Sequence, residues 1–250
     1  MDNETKVIHA EPRNFDIFLS GETVDLCAIS DDEWVLDQWY RWFNKVEITK
    51  YLVQGVYPNT RKAQKAYFDT LITNTSRITL LIKPKKHNCF IGVASLSSID
   101  PVMRQCDFAM VIGERINGGD SLFYAMESKC LMTEHAFENL GVERINSTQA
   151  AELLRWQRWQ ILFGYQIEGI LRKKFRKGQK VYDTLASSCL LEDYQKIREL
   201  RDGVFWPGKE AVFELMKMLP KVTLIDELMT WLPDKQQDYF DSTIFHLGQI

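Results

Sequence analysis

The sequence lacks any apolar stretch long enough to cross a membrane, and it lacks an excess of basic residues. A membrane-spanning helix needs about 20 predominantly apolar residues, and charged residues interrupt every apolar run in this 250-residue chain sooner than that. The formal net charge of −3 argues against a general attraction to nucleic acid. The polar, acidic stretch 1–16 holds no apolar core of a secretory signal. We therefore expect a cytoplasmic protein with no membrane partner and no nucleic-acid partner.

Paired cysteines are missing as well. The chain has five cysteines, an odd number, and no C-x-x-C spacing. Most of them lie in apolar segments, which favours free, buried thiols in a reducing compartment. The sequence thus predicts neither a disulfide framework nor a metal site. The five are Cys27, Cys89, Cys106, Cys130 and Cys189.

What the chain does have is the composition of a globular protein, with 45% hydrophobic and 26% charged residues. Hydrophobic periodicity predicts a strand, two helices, three strands, a helix, a strand, a helix and two strands. Because hairpins join most of the strands, we expect an α/β fold with a central, mixed, mostly antiparallel sheet flanked by helices. We divide the chain into an N-terminal arm (1–17), this domain (18–191) and a helical C-terminal extension (192–250). The apolar residues of the extension need cover, either from the domain or from a second copy or protein partner.

Two finer predictions concern the first elements of the domain. Phe18 to Ala28 alternates well enough to form a single strand. Ser30 and Glu33 have the spacing of a capping box, which predicts that the first helix is capped at Ser30.

The chain is organised around one central stretch, Cys106 to Phe137. It contains a short strand (CDFAMVIGE), a glycine-containing loop (RINGGDS) and a long helix (LFYAMESKCLMTEHAF). A loop that opens a helix presents free backbone N–H groups and the positive end of the helix dipole, so it favours phosphate binding. The pair Gly118-Gly119 alone is also typical of a plain turn.

Several segments, in order, resemble the GNAT superfamily of N-acetyltransferases. They are WYRWFNKVEITKYL, FIGVASL, FAMVIGE, HAFENLGVERIN and ILFGYQIEGILRKKFRKGQKVYD, spread over Phe18 to about Leu191. The branches that acetylate ribosomal-protein alanine and amino sugars are the most similar. The resemblance implies the GNAT fold, an acyltransferase activity and acetyl-CoA as co-substrate.

The resemblance also implies a cofactor site between the fourth strand, near Cys106–Glu114, and the fifth, near Arg144–Gln149. The backbone of the fourth strand would pair with the pantetheine, and the following loop would hold the pyrophosphate. The residues implied in cofactor binding are Phe108, Ala109, Met110, Val111, Ile112, Arg115, Gly118, Gly119, Ser121, Leu122 and Phe123.

The loop departs from the family pattern. Arg115 and Gly118 match its first two anchors in one register, but Asp120 then falls where a small residue is usual. Counting from the end of the helix instead places Phe123 and Ala125 at the two small positions. In either register a carboxylate at Asp120 lies near the expected phosphates and repels them unless it points away.

At the positions where the family carries catalytic residues, this chain keeps some residue types and replaces others. Asp107 aligns with an acidic residue of the sugar-acetylating relatives and is our candidate general base, although a strand-end carboxylate facing water is the alternative. Leu153 replaces a common Asn, and Gln160 replaces a Tyr that often protonates the departing thiolate. Trp156, with Trp159 three residues on, would wall the cofactor groove or pack against the sheet.

Two functions follow. The first is an acetyl-CoA-dependent N-acetyltransferase that acts on an amine of a small molecule, such as an amino sugar, or on a protein N-terminus. The second is a GNAT-fold domain without catalysis, serving in binding, assembly or a phage virion through its helical extension. The altered loop favours the second, and the retained strand–loop–helix with Asp107 favours the first.

Overall fold

The computed structural model describes residues 15–30, 32–116 and 120–248. A single sheet of eight strands runs through this part of the chain, in the order β1-β2-β3-β4-β5-β6-β8-β7. The strands are β1 (Ile17–Ser20), β2 (Val24–Ala28), β3 (Ile78–Pro84), β4 (Gly92–Asp100), β5 (Gln105–Ile112), β6 (Arg144–Ala150), β7 (Gln166–Lys177) and β8 (Lys180–Leu190). The helices are α1 (Glu33–Phe43), α2 (Val46–Thr49), α3 (Arg61–Ile72), α4 (Ser121–Glu138), α5 (Leu154–Gln160), α6 (Leu191–Leu200), α7 (Lys209–Met218) and α8 (Leu224–Leu247).

All neighbouring strands of this sheet pair antiparallel except β5 and β6, which pair parallel. A parallel pair needs a crossover connection, and α4 supplies it. The predicted fold class is therefore confirmed: a mixed, mostly antiparallel sheet flanked by helices, with further helices after the last strand.

Helices cover the two faces of the sheet, and side-chain alternation along β5 distinguishes the faces. On one face α4 packs on a large core that includes Cys106 and Phe108, with Met110 and Ile112 at its border. On the other face α1 and α3 enclose a second core, against which Val111 packs. We call these the α4 face and the α1–α3 face.

The segment predicted as one strand is a hairpin, β1 and β2, so this prediction was wrong. The Gly21 N–H donates to the Val24 carbonyl (2.8 Å) and closes the turn between them. The buried Glu127 carboxylate of α4 accepts hydrogen bonds from the backbone of Glu22 and of Thr23 (2.8 Å for Thr23). A Cβ on Gly21 would overlap that carboxylate, so a larger residue there would displace Glu127 from the turn.

The cap of α1 also differs from the prediction. Asp32, not Ser30, is the N-cap, and its carboxylate accepts a hydrogen bond from the Trp34 N–H (2.7 Å). Carboxylates are favoured near helix N-termini because they face the positive end of the helix dipole, and Asp32 stands directly before Glu33, the first helical residue.

The stretch that follows β8 shares the main core. Tyr194, Phe205 and Val212 are buried in the cluster that α4 forms with the sheet. Helix α8 continues through Pro233. Within the described residues, no helix combines the length and the apolar character needed to cross a bilayer. Large apolar side chains are exposed along α8, among them Trp231, Tyr239, Phe240 and Phe245.

Candidate functional site

The strands β5 and β6 pair only over their first three residues and then part. Gln105, Cys106 and Asp107 face Arg144 to Asn146, whereas β5 stays paired with β4 as far as Ile112. From Phe108 onward, the β6-facing edge of β5 therefore has no strand partner among the described residues. We call this gap the β5–β6 cleft. The five strand residues predicted to bind the cofactor, Phe108 to Ile112, line its free edge.

Asp107 lies where the cleft begins. It shares the α1–α3 face with Val111, because residues two apart on a strand point to the same side. It is partly buried, and no described group donates a hydrogen bond to its carboxylate. Its charge is thus uncompensated by a fixed partner, which suits a group that must accept a proton.

Asp107 belongs to a row of polar residues that crosses five strands on the α1–α3 face. Paired positions in the ladder share a face, and the pairings continue from β4 to β7 through Asp107. We call this the polar row: Ser97, Asp107, Asn146, Ser188 and Gln166.

One end of the polar row is tied together by Arg144 and Glu168. Arg144 Nε donates to the Asn146 side-chain oxygen (2.7 Å), and its Nη2 lies 2.5 Å from a Glu168 carboxylate oxygen. The Ser188 hydroxyl donates to the other oxygen of Glu168 (2.8 Å). The hydrogen bond from Arg144 lowers the pKa of Glu168 below its usual value. Glu168, beside the row, thus has fixed partners, whereas Asp107, within the row, has none among the described residues.

The loop after β5 contains most of the predicted pyrophosphate residues. Gly118 and Gly119 lie outside the described residues. Arg115 is exposed, and Leu122 is half-buried at the start of α4. The Ser121 hydroxyl accepts from the Ile116 N–H (3.0 Å) and lies 3.1 Å from the Ile116 carbonyl, so it closes the base of the loop. The Phe123 side chain is buried, which leaves its backbone as the group able to meet a ligand.

Asp120, the residue that departs from the family pattern, is paired with Lys209 of α7. The Lys209 ammonium lies 2.5 Å from the Asp120 carboxylate and both side chains are largely covered. This hydrogen bond lowers the pKa of Asp120. Glu22 anchors the backbone at the start of α7. Its carboxylate accepts hydrogen bonds from the backbone N–H of Lys209 (3.0 Å) and from the Trp206 indole N–H (2.8 Å). The C-terminal extension thus offsets the negative charge beside the loop.

A lysine that sequence analysis missed lies on the α4 face of the cleft. Lys129 is fully buried, and its ammonium donates a hydrogen bond to the Gln160 side-chain oxygen (2.8 Å). It also lies 3.3 Å from the centre of the Tyr165 ring and 4.8 Å from that of Phe108. Its place among buried residues of α4 is a signal that could have found it, since lysine is almost never fully buried without a partner.

The other residues singled out near the expected catalytic positions also have defined places in the structure. Leu153 is the N-cap of α5 and is 40% exposed. Gln160 is buried and holds Lys129. Trp156 and Trp159 border the main core, and Lys129 lies 5.7 Å from the Trp156 ring centre.

The family is settled by a comparison of the sequence with protein-family models. The model described as "Acetyltransferase (GNAT) domain" matches residues 28–159, more than half of the chain. The chain belongs to this family. No curated protein matches it.

Solved structures of GNAT acetyltransferases share the fold. Spermidine N-acetyltransferase from Vibrio cholerae, in complex with CoA and spermine, is 17% identical, with a TM-score of 0.62 over 69% of this chain and 98% of that chain. A GCN5-related N-acetyltransferase from Brucella melitensis is 18% identical, with a TM-score of 0.61 over 80% and 88%. The microcin C7 self-immunity acetyltransferase, in complex with acetyl-CoA and AMP, is 17% identical, with a TM-score of 0.57 over 68% and 94%. Two of these neighbours thus hold CoA or acetyl-CoA in the same fold.

Proposed function

We propose that this GNAT protein is an N-acetyltransferase that transfers the acetyl group of acetyl-CoA to an amine. The observation that carries the proposal is the β5–β6 cleft, which opens directly after Asp107 and leaves one edge of Phe108–Ile112 unpaired. Free backbone N–H and C=O groups on that edge need partners, and the amides of pantetheine are suitable ones. The end of the cleft leads to the loop before α4, whose N-terminus favours phosphate.

Asp107 then removes a proton from the acceptor. The amine nitrogen attacks the thioester carbonyl, and the ammonium formed must lose a proton to give a stable amide. Asp107 stands at the mouth of the cleft with no fixed partner among the described residues, so its carboxylate is free to accept that proton directly or through a water molecule. Holding the two reactants together supplies much of the remaining rate.

The acceptor is proposed to be polar: a small-molecule amine such as an amino sugar, or a protein N-terminus. The polar row offers hydroxyl and amide groups on both sides of Asp107, and these suit an acceptor with hydroxyl groups or a peptide backbone. Because the Glu168 charge is engaged by Arg144, a long polycation finds few free carboxylates along the row. We therefore rank amino sugars and peptide N-termini above polyamines.

Thermal unfolding with acetyl-CoA tests the first half of the proposal. Ligand at about 100 times its dissociation constant stabilises the folded state by about 2.7 kcal/mol. For a chain of this size the midpoint then rises by about 5 to 10 °C. An unchanged midpoint at millimolar acetyl-CoA would show that the cleft does not hold the cofactor and would overturn the proposal.

A turnover screen tests the second half. Release of free CoA thiol is followed with amino sugars, peptides with free N-termini and spermidine as separate acceptors. N-acetylated forms of the same acceptors are the matched controls, because they lack the reacting amine. Thiol release that depends on a free amine supports an N-acetyltransferase. Cofactor binding without turnover on any acceptor class would contradict catalysis and leave a CoA-binding domain.

A further inference from the structure

Lys129 is a buried cation without an anionic partner. It is fully buried in α4, and the structure shows no carboxylate within ion-pair distance of it among the described residues. The titratable groups that face it are Tyr165, Cys189 and Cys130, and burial raises the pKa of all three, so they stay neutral near neutral pH. Burial in turn lowers the pKa of Lys129 to about 7. An unpaired charge in such a place reduces the stability of the fold, so a functional role would explain why a lysine is present.

The position of Lys129 is defined from both sides of the β5–β6 cleft. Phe108, whose ring it contacts, is the first residue of β5 past the last β6 pairing. On the other side, Gln160 accepts from Lys129 and donates to the Ser187 hydroxyl (3.0 Å), which donates to the Ser147 carbonyl (3.1 Å). Ser147 is the first residue of β6 past the same pairing. Lys129 therefore lies beneath the point where the two strands part.

Lys129 and Asp107 lie on opposite faces of the sheet at that point. Lys129 is on the α4 face with Phe108, and Asp107 is on the α1–α3 face with Val111. In acetyl transfer the attacking amine and the departing sulfur lie on different sides of the carbonyl carbon. A base on one face and a buried N–H donor on the other match this arrangement.

Among the described residues, one buried polar atom near Lys129 has no hydrogen-bond partner. The Gln157 side-chain nitrogen is buried without a hydrogen-bond acceptor, although its oxygen accepts from Gln160. Buried polar groups normally find partners, so an unsatisfied donor beside the cleft is consistent with a ligand that completes the cluster.

We propose that Lys129 donates the proton that the CoA sulfur needs as it leaves, which rests on the N-acetyltransferase function above. The amine nitrogen bonds to the carbonyl carbon, and the carbon–sulfur bond breaks with its electron pair going to sulfur. The sulfur takes a proton from the Lys129 ammonium and departs as a thiol. Asp107 takes the proton of the amine and passes it to water, and the neutral Lys129 regains a proton from water.

The acidity of Lys129 suits this step. A thiol has an ordinary pKa of about 8.5, and an ordinary lysine, at about 10.4, would hold its proton more tightly than the thiolate does. With its pKa lowered to about 7, Lys129 loses its proton to the thiolate readily. Positioned acids of this kind contribute roughly 100-fold or more to a rate.

The first test measures the thiol of bound CoA. The ultraviolet absorbance of the thiolate is followed against pH with CoA bound to the wild-type protein, Lys129→Met, Lys129→Arg and the control Lys196→Met on the exposed surface. We expect the thiolate to form at a higher pH in Lys129→Met than in wild type, with Lys196→Met unchanged. The same onset in wild type and Lys129→Met would overturn the proposal. If CoA does not bind to the wild-type protein, both the proposal and the N-acetyltransferase function on which it rests are overturned.

The second test measures turnover. In Lys129→Met, kcat should fall about 100-fold while the KM for acetyl-CoA changes little, and the decline of kcat at high pH should vanish. Lys129→Arg keeps the charge but holds its proton too tightly, so it should bind acetyl-CoA as wild type does without restoring kcat. An unchanged kcat in Lys129→Met, with CoA still bound, would overturn the role of Lys129 and leave the N-acetyltransferase function standing.

Discussion

Asp107 and Lys129 are single residues whose surroundings differ sharply. Asp107 is partly buried at a strand end, with no fixed hydrogen-bond donor among the described residues. Lys129 is enclosed by aromatic rings and touches one side-chain oxygen. The first is free to meet an acceptor from solvent, whereas the second is closed off from solvent.

At this scale we predict that Asp107→Asn removes most turnover and leaves acetyl-CoA binding nearly intact. The amide keeps the size of the side chain but cannot accept the amine proton, and loss of a general base costs roughly 100-fold or more. Initial rates and calorimetric binding measure the two effects, with Asp69→Asn on the exposed surface of α3 as control. Normal rates in Asp107→Asn would remove Asp107 from the mechanism.

Lys129 also predicts how stability depends on pH. Its folded-state pKa, about 7, lies below its ordinary value of 10.5, so above pH 7 the unfolded chain binds more protons at this site. Stability from this group therefore rises with pH from about 7 upward, and Lys129→Met should lack that rise and be more stable than wild type near pH 6. Denaturant unfolding at several pH values measures the difference. A less stable Lys129→Met at pH 6 would show that the lysine stabilises the fold.

The backbone directly after β5 approaches α1 closely because residue 113 is a glycine. A Cβ on Gly113 would lie 2.2 to 2.6 Å from the Trp42 ring of α1, and the Gly113 N–H donates to the Ile91 carbonyl (2.7 Å). The close contact sets the distance between α1 and the strand end that leads into the loop.

We predict that Gly113→Ala lowers the free energy of unfolding by about 1 to 3 kcal/mol, the usual cost of overpacking a core. Gly169→Ala in β7 is the matched control, because its Cβ would meet nothing within 4 Å. Denaturant midpoints of the two variants are compared. Equal midpoints would mean that the Trp42 ring moves aside without cost.

The contact between α7 and the start of α4 yields a double-mutant prediction. Lys209→Met should weaken acetyl-CoA binding several-fold, because it leaves the Asp120 charge beside the phosphates. Asp120→Asn should strengthen binding, and Lys209→Met should then have little further effect. Calorimetry at low and high salt measures the four affinities, with Lys217→Met on the same helix as control. Additive effects of the two changes would contradict the coupling.

On the scale of the whole molecule, residues after β8 divide into two parts. The stretch from α6 to α7 contributes Tyr194, Phe205 and Val212 to the main core. Helix α8 is held mainly by Ile225 and by the ion pair of Arg158 with Asp226.

We predict that a chain ending at Leu190 does not fold cooperatively, whereas a chain ending at Thr223 keeps the fold. Each large buried side chain contributes roughly 1.5 to 3 kcal/mol, and a domain has only about 5 to 15 kcal/mol in total. Circular dichroism melts and limited proteolysis distinguish the two chains. A sharp melt from the shorter chain would show that its core is complete without α6 and α7.

Much of the fold could be predicted from the sequence because most strands and helices show local hydrophobic periodicity and turn residues at their ends. Apart from the first hairpin, the succession of strands and main helices up to β8 follows from periodicity, and the GNAT resemblance was confirmed by the family match to residues 28–159. The hairpin at Gly21 was missed because its cause, the Glu127 carboxylate, lies more than 100 residues away. The partners of Asp120 and Lys129 were missed for the same reason, since sequence spacing does not show which side chains meet across the core.

The link from Glu22 to Trp206 and Lys209 joins residues 184 and 187 positions apart. A ribosome adds roughly 5 to 20 residues per second, so for many seconds a nascent chain carries the whole cleft but not the lysine that faces Asp120. The loop and the lysine that offsets its charge are therefore made seconds apart. Until Lys209 is made, the Asp120 carboxylate lacks the cation that offsets its charge.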